Sequence, residues 1–348
     1  MNNELILALD ALEKEKRIKK EVMFEALEAA LVTAYKKNFG SGYNCFAEVN
    51  RETGDMRVYC TKTVVEEVED PCTQITLEEA QAVNKRYQIG DSVDFEASPA
   101  KFGRIAAQTA KQMVVQKIRE AERGNMYDEY SDKENDVMSG KVEKLDRRGV
   151  MIDLGSAEAL LAPSEQIPGE DYTPGRRLKV YVFEVKKTTK SVNLMVSRTH
   201  PGLVKKLFEK EVPEIADGTV VIKSIAREAG SRSKLAVHSD NPDIDPVGAC
   251  VGQKGIRVAE IVQELNDEKI DVIRYSDDIA EYISAALNPA KVLSVEIDEK
   301  NKSALVTVPE FQLSLAIGKE GQNARLAARL TGWKIDIKSD GGAFGKES

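Results

Sequence analysis

The chain has 348 residues, 50 Lys/Arg against 58 Asp/Glu, and a formal net charge of −8, with 42% hydrophobic and 31% charged residues. This length typically holds about two to four domains, and the apolar share is too high for a disordered chain. No apolar run approaches the roughly 20 residues of a membrane-spanning helix, and no basic region leads into an apolar stretch at the amino terminus. We therefore expect a globular, cytoplasmic protein without a signal peptide or membrane anchor.

Residues 1–126 are predicted to form a mixed α/β head that ends in a long connecting helix. Apolar residues recur at helical spacing from Met23 to Ala34, and Gly40 is placed to end that helix. Short strands are expected at 46–49, 56–62 and 91–96. A long helix from about Lys101 has an apolar stripe of Ala107, Ala110, Val114, Ile118 and Ala121. The acidic stretch 127–136 that follows is poor in apolar residues and is predicted to be a linker.

Five short alternating strands then predict a barrel over residues 137–199. They occupy 139–145, 149–155, 157–163, 178–187 and 191–198. This pattern is typical of an OB-type barrel, which binds single strands through exposed aromatics and a basic groove. The candidate RNA contacts in it are Arg147, Arg148, Tyr181, Lys186 and Lys187. Because side chains alternate along a strand, one of Tyr181 and Phe183 is expected to face the core.

The charge is unevenly distributed along the chain. Residues 172–238 contain fourteen Lys/Arg and six Asp/Glu, a local charge of +8, so the remainder carries −16. This split suggests one surface that faces RNA and another that faces a basic protein. A solvated charged face would give the same count, and charge alone leaves both interpretations open.

The cysteines and histidines predict no metal site and no catalytic site. The four cysteines lack the close spacing of a zinc site, and we expect reduced thiols, with Cys45 and Cys60 on neighbouring strands. His200 and His238 lie far apart and are expected to be ordinary polar residues. We therefore expect no cofactor, no metal ion and no enzyme activity.

The last part of the chain contains an internal repeat, the most informative feature of the sequence. Each copy is predicted to run helix, two strands, short helix, G-x-x-G tetrad, longer helix and closing strand, over residues 200–276 and 277–339. The first tetrad is Gly252-Gln253-Lys254-Gly255 and the second is Gly318-Lys319-Glu320-Gly321, 66 residues further on. Residues 340–348 are expected to form a disordered tail.

A G-x-x-G tetrad between two helices is suited to hold a sugar–phosphate backbone. Glycines let the short helix end and let a phosphate approach, while the next helix presents its amino-terminal amides and the positive end of its dipole. KH modules clamp about four nucleotides in this way. The candidate RNA-binding residues are those of both tetrads with Arg257, Asn323 and Arg325, and bases are expected against Val247, Ala249, Val251, Leu315 and Ile317.

A single tetrad would more commonly be a tight turn between two helices. Two copies in the same context of helices and strands favour an RNA clamp instead. Neither copy has the spacing of a dinucleotide-binding or nucleotide-binding loop. The residues alone therefore predict a modular, non-enzymatic RNA-binding protein.

Several longer motifs resemble a known family. DPVGACVGQKG from Asp245, KIDVI from Lys269 and LAIGKEGQNARLAARLTGW from Leu315 closely resemble the NusA family of bacterial transcription elongation and termination factors, as does VPEI at Val212. The resemblance is strong from Val137 to Lys338 and looser over residues 1–125.

The resemblance implies a fold and a function that the residues alone do not. The fold would be multidomain α+β, with an N-terminal α/β head, an S1-type OB β-barrel and two tandem type II KH domains. The head would dock on RNA polymerase, while the S1 and KH domains would hold nascent single-stranded RNA and so modulate pausing, termination and antitermination. Other antitermination factors are further expected partners. We expect a monomer that does not bind membranes.

Two features depart from the family pattern. Arg147-Arg148-Gly149 stands where S1 domains commonly place an aromatic residue before the glycine, which puts base stacking there in doubt. The chain also ends soon after the second KH unit, so we expect a short form without C-terminal acidic repeats.

Two other functions stay open on the residues. One is a ribosome-associated RNA-binding translation factor. The other is an RNA-processing enzyme of the phosphorolytic type, which also combines KH and S1 modules. That enzyme would need a catalytic core much larger than residues 1–125, and it would need a carboxylate metal site.

Overall fold

The computed structural model describes residues 19–97, 103–189 and 191–341, together with residues 6, 7, 9, 10, 13 and 14. Within residues 103–114, side chains are described only at positions 108 and 112. The chain divides into two compact units, Met1–Met126 and Tyr127–Ser348. None of the helices in these described ranges combines the length and the apolar character needed to cross a membrane.

The head is built on a four-stranded sheet. Its elements are α1 (Lys20–Phe39), β1 (Asn44–Val49), β2 (Met56–Val65), β3 (Gln74–Thr76), α2 (Leu77–Val83), β4 (Ser92–Ala97) and the first part of α3 (Gly103–Ser131). Strand β2 is central, because it pairs antiparallel with β1 and β4 and parallel with β3. The sequence does not predict β3 and α2, since elements of three and seven residues are too short to show a period.

Helix α1 buries its apolar face against the sheet. Met23 and Leu27 lie in one core cluster with Val58 of β2, and Gly40 ends the helix at φ 112°, as predicted. Ile118 of α3 packs against the same cluster, together with Ala121. The other predicted stripe residues, Ala107, Ala110 and Val114, lie outside the described side chains.

The cysteine pair predicted on neighbouring strands is present. Cys45 and Cys60 face each other across β1 and β2, and their Sγ atoms are 3.0 Å apart as free thiols. Burial, more than the neighbouring thiol, raises the pKa of Cys45 to about 12. The Cys45 thiol therefore stays protonated at neutral pH.

A closed five-stranded barrel opens the second unit, which confirms the predicted OB-type fold. Its strands are β5 (Val137–Asp146), β6 (Gly149–Asp153), β7 (Glu158–Leu161), β8 (Arg177–Lys187) and β9 (Val192–Ser197), closed in the order β5-β6-β7-β9-β8. Ile152, Leu161 and Val180 are fully buried, as the alternation of their strands predicts.

The segment predicted as a linker is helical over its first half. Helix α3 continues to Ser131, and Tyr130 within it is 2% exposed. The Tyr130 hydroxyl shares a hydrogen bond with Ser156 Oγ at 2.8 Å. The backbone N–H of Asn135 donates to the carbonyl of Val182. Buried Tyr130 and its hydrogen bond therefore attach this segment to the barrel. The acidic composition of the segment did not predict this contact.

Two copies of one α/β unit follow the barrel. The first contains α4 (Pro201–Glu211), α5 (Pro213–Ala216), β10 (Val221–Glu228), β11 (Arg232–His238), α6 (Pro246–Val251), α7 (Ile256–Glu264) and β12 (Lys269–Arg274). The second contains α8 (Ile279–Ala286), β13 (Ser294–Asp298), β14 (Ser303–Val308), α9 (Leu313–Ile317), α10 (Gln322–Thr331) and β15 (Lys334–Ser339). In each sheet the middle strand pairs antiparallel with the first and parallel with the third, so the two units have the same strand arrangement. Most of the predicted tail, residues 342–348, lies outside the described residues.

The barrel and the two KH units share buried contacts. Arg198, which follows β9, is fully buried and donates from Nη1 to the Lys179 carbonyl at 2.7 Å and to Glu264 at 3.1 Å. The two KH units share one apolar cluster, to which Ala236 of β11 and Ile283 of α8 both belong. Both tetrads therefore belong to one packed body within the unit Tyr127–Ser348.

Candidate nucleic-acid interface

The two tetrads have the same backbone geometry. Gly252 has φ 74° and ψ 174°, and Gly318 has φ 77° and ψ 170°. Gly255 has φ 78° and ψ 15°, and Gly321 has φ 74° and ψ 14°. Each last glycine is the N-cap of the helix that follows, α7 or α10. The repeat seen in the sequence is thus a repeat of a specific turn.

The central tetrad side chains project into solvent. Lys254 and Glu320 hold the same position in left-handed backbone, at φ 53° and 54°. Both are exposed, as are Gln253 and Lys319. A Cβ atom added at Gly321 would meet nothing within 4 Å, so the outer side of the second tetrad is open. A polynucleotide can therefore reach this turn.

Close packing requires the first glycine of each tetrad. A Cβ atom on Gly252 would lie 2.8 Å from Cγ of Arg257, and one on Gly318 would lie 2.7 Å from the backbone nitrogen of Asn323. The turn is thus drawn tightly onto the first residues of α7 and α10. The positive end of each helix dipole lies there and favours an anionic ligand.

Arg257 and Asn323 occupy equivalent positions and both support the turn from within. Nη1 of Arg257 donates to Glu214 at 3.0 Å and to the carbonyl of Ala249 at 2.7 Å. Asn323 is 4% exposed, and its Nδ2 donates to the carbonyl of Ala316 at 3.0 Å. Both side chains hold the short helix that precedes the tetrad. In the structure both side chains therefore bind groups of the protein beside the tetrad.

Arg325 is bound by the other KH unit. Its Nε donates to Glu228 at 2.6 Å and its Nη2 at 3.2 Å, while Gln322 donates to the same carboxylate at 2.9 Å. This guanidinium holds the pKa of the Glu228 carboxyl below its usual range. Glu228, which Arg329 also approaches to 3.6 Å, therefore already binds the guanidinium for which the sequence predicts a phosphate partner.

The predicted apolar groove is more open in the second KH unit. Leu315 is 45% and Ile317 is 38% exposed. Val247 and Ala249 of the first unit are half-buried and pack against its core, and Val251 is half-buried as well. Apolar surface for a base is thus concentrated beside the second tetrad.

The basic residues predicted on the barrel form two separate groups. Arg147 and Arg148 lie in the turn after β5, and Arg148 pairs with Asp146 at 3.0 Å. Lys186 and Lys187 end β8, which runs antiparallel to β5 and extends past the first residue of β5. The two groups therefore lie at opposite ends of the barrel and do not line one groove.

Tyr181 is covered rather than open to RNA. It is 6% exposed and stacks on His200, with ring centroids 4.6 Å apart and an interplanar angle of 5°. Its hydroxyl donates to Asn135 at 3.0 Å. A Cβ atom on Gly202 of α4 would lie 2.5 Å from the ring, so the first KH unit covers it. The candidate role of Tyr181 in contacting RNA is therefore wrong.

The basic segment 172–238 is partly internal. Three of its fourteen basic side chains, Arg198, Arg227 and Lys234, are at most 2% exposed. Each forms an ion pair with a carboxylate that is buried or mostly buried. The charge count therefore overstates how much positive surface this segment presents.

One prominent residue was not predicted from the sequence. Phe311 is 81% exposed, more than any other large hydrophobic side chain that the structure describes as exposed. It precedes Gly318 by seven residues, which is about two helical turns and places both on one face. Helical spacing counted back from the tetrad could have found it.

Four domain families match consecutive parts of the chain. The family described as NusA N-terminal domain matches residues 4–124, and S1 RNA binding domain matches residues 131–197. NusA-like first KH domain and NusA-like second KH domain match residues 198–275 and 279–343. The predicted fold class, an α/β head with an S1 barrel and two KH domains, is confirmed.

Similar proteins align with nearly the whole of this chain. The transcription termination/antitermination protein NusA of Halalkalibacterium halodurans is 57% identical over 340 residues, which cover 98% of this chain and 89% of that protein. The Bacillus subtilis protein of the same name is 57% identical, covering 98% of this chain and 92% of that protein. A solution structure of the N-terminal domain of B. subtilis NusA is 54% identical, covers 35% of this chain and 99% of that domain, and has a TM-score of 0.32. This chain belongs to the NusA family of transcription termination/antitermination proteins.

Proposed function

We propose that this protein is a non-enzymatic factor that docks on RNA polymerase with its head and holds nascent single-stranded RNA with its S1 and KH domains. It thereby modulates pausing, termination and antitermination. The observation that carries the proposal is the pair of exposed tetrads with equal geometry at Gly252 and Gly318, held on one packed body.

The tetrads supply the main RNA contacts. Lys254 and Lys319 pair with phosphates, while Gln253 and Glu320 lie beside the strand and offer polar groups to riboses or bases. The support for this assignment is that all four side chains are exposed at the start of a helix. The glycines of both tetrads keep the backbone close to the strand.

The remaining predicted residues have lesser or indirect roles in RNA binding. Arg257, Asn323 and Arg325 position the tetrads through the hydrogen bonds described above. Arg147 and Arg148, with Lys186 and Lys187, add salt-dependent contacts at the two ends of the barrel. These residues extend the RNA path beyond the KH units without forming a continuous groove.

The head provides the polymerase contact. Counted over residues 1–126 it has 21 acidic and 18 basic side chains, a net charge of only −3, so bulk negative charge does not support docking. Better support comes from Phe46, 39% exposed and stacked on Tyr59 at 5.1 Å. With Arg51 and Arg57 these rings line a concavity of 720 Å³. Exposed aromatics and arginines are enriched at protein interfaces.

We further propose a division of roles along the chain. Residues 1–126 contact polymerase, 127–136 connect the head to the rest, 137–199 form the barrel, and 200–276 and 277–339 form the KH units. The protein acts as a monomer in the cytoplasm, where transcription takes place, and other antitermination factors join it on the polymerase.

RNA binding by the full chain tests the tetrads directly. Replacing both Lys254→Asp and Lys319→Asp should weaken the affinity for unstructured RNA about 100-fold or more, taking ~1.5 kcal/mol for each charged contact. Lys300→Asp with Lys302→Asp is the matched control, because these exposed lysines lie in the turn at the opposite end of β14 from α9. Unchanged affinity in the tetrad variant would remove the clamp assignment.

Competition for purified RNA polymerase tests the head. The full chain should bind polymerase, and a fragment of residues 1–126 should displace it. The circular dichroism of the fragment provides the control for folding. A folded fragment that does not compete, while the full chain binds, would assign the polymerase contact to the other unit.

A further inference from the structure

An exposed aromatic residue leads into the second tetrad. Phe311 lies in the 3-10 turn Glu310–Gln312, which continues directly into α9 and ends at Gly318. Phe311, Leu315 and Gly318 are four and three residues apart, so they lie on one face of this helical run. Phe311 is 81% and Leu315 is 45% exposed. Together they form an apolar stripe that reaches the tetrad.

The opposite face of the same run is anchored in the protein. Leu313 packs against the core of the KH units, and Ala316 is fully buried within it. Gln312 accepts a hydrogen bond from the backbone of Lys291 at 3.3 Å. The run is thus fixed in orientation, and the outward position of Phe311 follows from that anchoring.

The first KH unit has no such residue. Counting 66 residues back from Phe311 gives Asp245. Its side chain caps α6 by accepting from the amide of Val247 at 3.2 Å, and it pairs with Arg274 at 3.4 Å. A carboxylate at this position repels a phosphate strand and offers no ring for stacking. The exposed ring is therefore specific to the second unit.

The second tetrad also has less positive charge to offer. It carries Glu320 in the position where the first tetrad carries Lys254, with the same backbone conformation. The charges of Lys319 and Glu320 sum to zero, whereas the first tetrad has a net charge of +1 from Lys254. A contact that does not depend on charge would offset the weaker hold on phosphate.

We propose that Phe311 is a stacking platform for one nucleobase of the RNA strand held at the second tetrad. The inference rests on the proposed function, because it requires RNA at that tetrad. Phe311 lies about 10 Å along the helical run from Gly318, at a rise of about 1.5 Å per residue. Stacking on an exposed ring is tolerant of sequence, since every base has a π-face. The expected ligand is therefore an unpaired purine or pyrimidine base. It belongs to the nucleotide next to those that the tetrad clamps.

Phe311→Ala in the full chain tests the platform. Stacking is worth about 1–3 kcal/mol per base, so the affinity for unstructured RNA should fall about five- to 150-fold. Phe311→Tyr keeps an aromatic ring and should retain most of the affinity, whereas Phe311→Leu keeps apolar area without a π-face and should lose most of it. The salt dependence should not change, because stacking releases no counterions.

A fluorescent base reports the contact itself. In RNAs with a single 2-aminopurine moved along the strand, one position should be quenched by the wild type and not by Phe311→Ala. An abasic nucleotide at that position should weaken the wild type and leave Phe311→Ala unaffected.

The outcomes separate this inference from the proposed function. If Phe311→Ala binds RNA like the wild type while the Lys254/Lys319 double variant does not, the platform is overturned and the clamp stands. If Phe311→Ala keeps its RNA affinity but loses polymerase, the ring is a protein contact and the platform is overturned as well. If none of these variants changes RNA affinity, the RNA clamp of the proposed function is overturned, and the platform is overturned with it.

Discussion

The guanidinium of Arg325 donates to the carboxylate of Glu228 at 2.6 Å, which joins the helix after the second tetrad to a strand of the first KH unit. Their side chains are 44% and 20% exposed, so solvent screens part of the attraction. A double-mutant cycle with Arg325→Gln and Glu228→Gln should give a small, stabilising coupling in the free energy of unfolding, because the pair is partly exposed. Fully additive effects would show that the pair does not form in solution.

The same pair should make stability depend on pH. Because Arg325 lowers the pKa of the folded Glu228, its contribution is fully present above the unfolded pKa of about 4.3 and is lost as pH falls through the lower folded value. The difference in unfolding free energy between the wild type and Glu228→Gln should be constant near neutral pH and shrink below about pH 4. A difference that grows on acidification would contradict the assignment.

Substitution of Arg198 should strongly lower the free energy of unfolding. Its guanidinium and the Glu170 carboxylate are both fully buried, and Nε donates to that carboxylate at 3.0 Å. Arg198→Met leaves a buried charge unpaired and should lower the free energy of unfolding by about 3–5 kcal/mol in urea denaturation. Arg198→Met combined with Glu170→Gln should recover part of that loss. A single variant as stable as the wild type would show that the carboxylate finds another partner.

The two glycines of the second tetrad should differ in how much stability is lost when each is replaced by alanine. Gly318 has φ 77° and ψ 170°, a region that is essentially limited to glycine, and an added Cβ would meet backbone at 2.7 Å. Gly321 is left-handed with open space around it. Gly318→Ala should therefore cost about 3 kcal/mol of stability and Gly321→Ala about 1–2 kcal/mol. Gly321→Asn should cost less still, because asparagine tolerates this conformation. Thermal unfolding of the three variants gives the order, and equal losses would contradict it.

The local signals of the sequence predicted much of the fold and the location of the candidate site. Alternation located the five barrel strands within a few residues, and glycine spacing located both tetrads. Both signals depend on the period of a single element, which the sequence displays directly. The same signals placed Lys254 and Lys319 on exposed turns, where the structure has them.

Partners far away in the sequence could not be predicted. Arg257 and Arg325 stand one turn from the tetrads, and local reasoning treats them as free cations. Their carboxylate partners lie 43 and 97 residues away in the chain. Likewise Tyr130 is buried against the barrel and Tyr181 is buried against the first KH unit. Composition does not predict which domains pack together.

The salt dependence of RNA binding tests the central claim most directly. Each phosphate contact contributes about 0.7 to the slope of log affinity against log salt for a single strand. Lys254→Gln with Lys319→Gln should therefore reduce the slope by about 1.4. Lys300→Gln with Lys302→Gln, a pair of exposed lysines away from the tetrads, should keep the slope of the wild type. A Lys254/Lys319 double glutamine variant that also keeps the wild-type slope would show that the tetrads do not hold the RNA backbone.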